Sequence, residues 1–122
     1  MTDQVSSRFS IASMRLDADD LSHYFQWPIT EDVKPNEKID QNIVIYDLQT
    51  GRHSRVDFHL EAVKQALWIK ETELCRLMDE CRYTLWMRYR FPSREGGFNL
   101  SPYLLSFFSM LRVEIIFHLN ED

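Results

Sequence analysis

Four histidines, two cysteines and a few adjacent carboxylates are the side chains of this 122-residue chain with the most obvious capacity for chemistry. A zinc site needs ligands at short, recurrent spacings, such as a Cys-x-x-Cys pair or two histidines one helical turn apart. His23, His53, His59 and His118 form no such pair with one another or with Cys75 and Cys81. His53 and His59 stand six residues apart across an expected loop, so the histidines read as ordinary surface residues, and no metal or cofactor is expected. Cys75 and Cys81 both fall in a predicted helix, where six positions place them on different sides, so they read as free, reduced thiols. Cys81 continues an apolar stripe and reads as a small buried hydrophobe.

Adjacent carboxylates serve acid–base catalysis only where burial separates their pKa values. Asp19-Asp20 opens a helix and Glu31-Asp32 lies in a polar stretch, so both pairs read as solvated. The three glycines are too few for a phosphate-cradling loop, only Gly96-Gly97 being adjacent, and there is no Gly-x-Ser-x-Gly elbow. The sequence is therefore read as that of a non-enzymatic protein.

Charge is the more informative property. The chain carries a formal −5, unevenly placed. Asp17, Asp19, Asp20, Glu31, Asp32, Glu37, Asp40 and Asp47 face only Lys34 and Lys38, so residues 17–47 carry −6, while from Gly51 onward ten basic residues balance ten acids. Such a segment is either a solvated face or a docking surface for a basic partner, where field complementarity speeds encounter. On the second reading Asp19, Asp20, Glu31, Asp32, Glu37 and Asp40 steer and pair with the partner. Trp27, after the first helix, is then an apolar anchor or a core residue.

A second cluster sits on a strand. Tyr83, Leu85, Met87, Tyr89 and Phe91 alternate with Thr84, Trp86, Arg88 and Arg90. A face bearing tryptophan and arginine suits single-stranded nucleic acid or a protein interface, including a homodimer through Trp86, Arg88 and Arg90. The acidity of the chain weighs against nucleic acid, whose affinity rests on phosphate contacts.

The elements that position these residues follow from periodicity. Val5–Met14 alternates as a strand. Asp17 caps a short helix with Asp19 and Asp20 in its first turn, and Trp27-Pro28 ends it. Thr30–Asn42, with Pro35, reads as a connection. Ile43–Leu48 is a strand and Thr50-Gly51 a turn, and Arg52–Phe58 either completes a hairpin or leads into the next helix. A helical segment spans 57–81, with its apolar stripe interrupted at Lys70-Glu71-Thr72-Glu73. After the strand 83–91, residues 92–99 form a loop, Ser101-Pro102 starts a helix running to about Leu111, and Val113–Leu119 is the last strand.

Residues 16–25 and 100–109 repeat one another: Leu16, Leu21, Ser22 and Tyr24 match Leu100, Leu105, Ser106 and Phe108. Each copy opens with a cap, Asp17 or Ser101, and lies between strand-like runs. One domain over 1–122 is expected, with strand–helix–strand units at 5–49 and 83–119 flanking the helical segment. Right-handed crossovers then collect the helices on one face. The expected fold is a two-layer α/β (α+β) sandwich of about four strands, a ferredoxin-like pseudo-repeat.

Phe9-Ser10-Ile11, Leu16 to Phe25 and Trp27-Pro28-Ile29-Thr30, with Asn99 to Leu105 and Leu111 to Phe117, resemble both ends of a bacterial family of small α/β proteins catalogued as a domain of unknown function. The family pattern also expects a glycine and a tryptophan near the second strand, and residues 36–48 contain neither. The resemblance brings no catalytic residues. It implies kinship with small acidic immunity proteins that block a toxin in the producing cell's cytoplasm by steric occlusion. The alternatives are a domain with a small-ligand pocket between sheet and helices, and a self-associating accessory module. No apolar stretch approaches the ~20 residues that span a bilayer, and Met1-Thr2-Asp3-Gln4 lacks the basic start of a secretory signal. A cytoplasmic setting without membrane contact is the expectation.

Overall fold

The computed structural model describes residues 4–91 and 98–121. In chain order the elements are β1 (Gln4–Ser13), α1 (Ala18–Ser22), β2 (Ile29–Val33), β3 (Asn42–Tyr46), α2 (Val56–Trp68), α3 (Glu71–Arg76), β4 (Cys81–Phe91), α4 (Pro102–Met110) and β5 (Val113–Glu121). The fold is mixed α+β, with a sheet of five strands in the order β2-β3-β1-β4-β5. β1 lies antiparallel to both β3 and β4, β2 antiparallel to β3, and β5 parallel to β4.

The fifth strand corrects the expected four. Thr30–Asn42 reads as a polar connection, yet residues 29–33 form β2. Its residues Ile29 to Asp32 are exposed, so the strand buries no face and leaves no alternation of apolar residues to detect. The two strand–helix–strand units also differ in topology. β4, α4 and β5 form a βαβ unit of adjacent parallel strands, whereas β3 lies between β1 and β2.

Alternation along the strands gives the sheet two unlike faces. Val5, Phe9 and Ile11 of β1, Val44 and Tyr46 of β3, and Tyr83, Leu85, Met87 and Tyr89 of β4 are buried beneath the helices with Leu60, Val63 and Leu67 of α2 and Leu104, Phe107 and Phe108 of α4. Burying one such side chain is worth about 1.5–3 kcal/mol. The opposite face, with Arg8, Arg82, Trp86, Arg88 and Arg90, stays exposed.

Local chemistry places each helix. Asp17 Oδ1 accepts from the Asp20 amide at 2.9 Å, and Asp20 Oδ2 accepts from the Asp17 amide at 3.1 Å, a reciprocal capping box. α1 already ends at Ser22, capped by His23, well before Trp27-Pro28. The 57–81 segment divides at Ile69-Lys70 into α2 and α3, and Tyr83 ties α3 to the sheet by donating to the Leu74 carbonyl at 2.7 Å. Cys81 opens β4 rather than lying in a helix, and both thiols are free. Ser101 caps α4, its Oγ accepting from the Tyr103 amide, with Pro102 at the first helical position.

Residues 52–58 form no full hairpin strand. Gly51, at φ +74, turns the chain so that His53 makes an isolated antiparallel bridge with Val5, and α2 begins at Val56. The bridge (Val5 N to His53 O, 2.7 Å; His53 N to Val5 O, 3.1 Å) lies along the half of β1 that β3 does not reach.

Candidate functional sites

The helix-free face of the sheet carries a trough of about 700 Å³ over β1, β4 and β5. Its lining includes Ser6 and Arg8 from β1, Trp86 and Arg88 from β4, Ile116 and His118 from β5, and Arg52 from the segment before the His53 bridge. Strand register sets their order. Arg8 stands opposite Trp86, which stands beside Ile116; one row along the strands, Ser6, Arg88 and His118 align in the same way.

Trp86 is 47% exposed, and its Nε1 donates to Ser10 Oγ at 3.0 Å, which fixes the N–H edge of the indole against the sheet. Among the described residues, Arg8, Arg52 and Arg88 make no ion pair, whereas Arg15, Arg55 and Arg112 are paired with Glu80, Asp57 and Asp79 at 3.2, 2.7 and 3.1 Å. Three guanidinium groups around a trough whose lining contains no carboxylate make a local positive field in an acidic chain.

The sequence-predicted acids lie elsewhere. Glu31 and Asp32 are exposed on the edge strand β2, and because they are successive strand residues they point to opposite faces, Glu31 opposite Ile45 and Asp32 opposite Val44. Asp32 pairs with Lys34 at 3.2 Å. Glu37 and Asp40 are exposed in the β2–β3 connection, where Asn36 Oδ1 accepts from the Lys38 and Ile39 amides. Asp19 and Asp20 are exposed at the start of α1, and Asp20 is engaged in the capping box. The Asp20 amide, aided by nearby Lys34, holds the Asp17 carboxyl below its usual range. These acids are spread over the start of α1, the edge strand β2 and the β2–β3 connection. Trp27 belongs to an aromatic cluster, with ring centroids 5.0 Å from Phe25, 5.5 Å from Tyr46 and 5.8 Å from Phe9.

A third constellation was invisible to spacing. Ser7 Oγ lies 2.7 Å from His59 Nε2, and His59 Nδ1 lies 2.8 Å from His53 Nδ1. Contrary to the surface expectation, His59 is completely buried. Burial, and secondarily the charge of His53, push its pKa down to about 4, so the ring is neutral at pH 7.

The chain of contacts has the shape of a nucleophile, a base and an orienting group. Its electrostatics oppose that use. A base must carry a proton in the transition state, and here burial and a second imidazole, in place of a carboxylate, both disfavour imidazolium. The relay satisfies polar groups while tying α2 to β1 and to the His53 bridge.

Tyr46 presents the opposite case. Its hydroxyl is fully buried without a hydrogen-bond partner among the described residues, and desolvation pushes its pKa up to about 12.

Arg8 was legible only as an outward-facing strand residue, and its place beside Trp86 depends on β1 pairing with β4. Arg52 carried no sequence signal. Among the described residues, no group of three or more His, Cys, Asp or Glu residues is placed to hold a metal ion, and no helix is long and apolar enough to cross a membrane. No family model matches the chain, and no curated protein or solved structure matches it.

Proposed function

We propose that this chain is a non-enzymatic binding protein that recognises a protein partner through its acidic edge, in the manner of a bacterial immunity protein that blocks a toxin in the cytoplasm by covering its active site. The observation that carries this reading is β2: an edge strand exposed from Ile29 to Asp32, bearing Glu31 and Asp32 and followed by the acidic connection with Glu37 and Asp40. An acidic rim of this kind steers a basic surface and pairs with it on arrival.

The test is affinity capture from the native cell with wild-type chain and with Glu31→Lys/Asp32→Lys in parallel. Recovery of one basic protein by the wild type alone supports the proposal. Equal recovery by both chains removes the acidic edge from it. A second reading, a small anionic ligand, is favoured by the trough, where Arg8, Arg52 and Arg88 surround half-exposed Trp86.

A further inference from the structure

The two edges of the sheet are built differently. β2 has five residues, a register shift between Ile29 and Glu31, and two exposed acids. Shortness, irregularity and charge are the means by which sheets discourage strand addition. β5 has nine residues, keeps unbroken register with β4, and reads Val113-Glu114-Ile115-Ile116-Phe117-His118-Leu119-Asn120 before Glu121. Among the described residues its outer edge pairs with no strand, and Leu119 is 52% exposed.

We propose that β5 is a homodimerisation edge, pairing antiparallel with β5 of a second copy about a two-fold axis at Ile116 and joining two five-stranded sheets into one of ten strands. The register follows from complementarity. An axis at Ile116 sets Ile116 against its own counterpart, Ile115 against Phe117, Val113 against Leu119, and Glu114 against His118. Apolar residues meet apolar residues, and the acid meets the imidazole twice, once on each side of the axis.

Alternation keeps Val113, Ile115, Phe117 and Leu119 on the helix-covered face and Glu114, Ile116 and His118 on the open one. Moving the axis one residue to Phe117 sets Ile116 against His118. Moving it to Ile115 sets Glu114 against Ile116 and Arg112 against His118. Cross-strand pairs of like character stabilise a sheet and mismatched ones do not.

The surroundings of the edge fit this arrangement. A recess of about 630 Å³ beside β5 is lined in part by Leu105, Phe108 and Val113. In the Ile116 register the second copy's exposed Leu119 arrives opposite Val113, at this recess. Trp86 is in register with Ile116, and Arg8 with Trp86. The dimer therefore aligns Arg8, Trp86 and Ile116 with their counterparts in one row. Three inter-strand spacings separate the two Trp86 positions by about 14 Å, and the two troughs become one continuous surface.

The experiment is sedimentation velocity on the chain from about 1 to about 200 µM, with far-UV circular dichroism to confirm that each variant is folded. The expected result is a concentration-dependent doubling of mass. Glu114→Lys should weaken dimerisation at least tenfold, and Glu114→Lys/His118→Glu should restore it. In a Cys75→Ser background, Ile116→Cys should cross-link under mild oxidation, because residues opposite one another lie about 4.5–5.5 Å apart at Cα, within disulfide reach. His118→Cys, which faces Glu114, should not. A monomer at every concentration overturns the proposal. So does a dimer that ignores Glu114→Lys and in which Ile116→Cys fails to cross-link, an outcome that would place the contact elsewhere, such as face to face through Trp86, Arg88 and Arg90.

Discussion

Arg8 and Trp86 lie 78 positions apart in sequence and directly opposite each other on antiparallel β1 and β4, both facing the helix-free side of the sheet. Through this pairing the N-terminal strand lends a cation to an aromatic surface built mainly by the C-terminal half.

If the trough is an anion site, pyrophosphate should bind in it, as measured by isothermal titration calorimetry at low salt. Each of Arg8→Ala and Arg88→Ala removes a charge-assisted contact worth about 1.5–3 kcal/mol and should weaken binding about tenfold or more. Affinity should also fall as salt rises. Absence of binding, or equal affinity in both variants, would remove the anion reading.

His59 makes stability depend on pH in a defined direction. Its folded pKa, near 4, lies below the ordinary 6.5, so the unfolded chain takes up the proton first. Stability is full above about pH 6.5 and declines as pH falls towards 4, by about 3 kcal/mol for a group so fully buried. Urea unfolding at several pH values checks this. His59→Gln should flatten the profile between pH 6.5 and 4.5, and an unchanged slope would assign the acid sensitivity to other groups.

Tyr46→Phe should leave stability unchanged or raise it by about 0.5–1 kcal/mol, because it deletes a buried hydroxyl that has no partner among the described residues. Thermal unfolding reads the effect directly. A loss above about 1 kcal/mol would mean that the hydroxyl is satisfied in solution, for example by an internal water.

Arg112, between α4 and β5, has φ 57 in the left-handed region, where glycine is favoured. Arg112→Gly should stabilise the fold by up to about 1 kcal/mol, since the exposed pair with Asp79 contributes little. A destabilised variant would show that this ion pair outweighs the backbone strain.

Four strands were legible because each buries one face. The alternation of Tyr83, Leu85, Met87, Tyr89 and Phe91 requires a sheet with one dry side, and the caps at Asp17 and Ser101 start α1 and α4 as their side chains predict. β2 escaped because Thr30, Glu31 and Asp32 bury neither face, so an edge strand looks like a loop. The Ser7–His59–His53 relay escaped because its members meet only after α2 docks on β1. Asp19, Asp20, Glu31, Asp32, Glu37 and Asp40 were easily seen as a charge run, but the opposite orientations of Glu31 and Asp32 depend on β2 being a strand. Trp86 and Arg88 were visible as a shared face, whereas Arg8 and Arg52 join them only through tertiary pairing.

The central position of β1 bears on how the chain is made. β1 is synthesised before the other described strands, yet one of its edges waits for β4, whose pairing runs from Gln4↔Arg90 to Ser13↔Cys81. Until β4 has been synthesised, the edge of β1 that pairs with it, beside Phe9 and Ile11, lacks its partner strand. A nascent chain stalled after α3 should therefore be a favoured chaperone client and an aggregation hazard. Completing β4 is then the step that commits the protein to its fold.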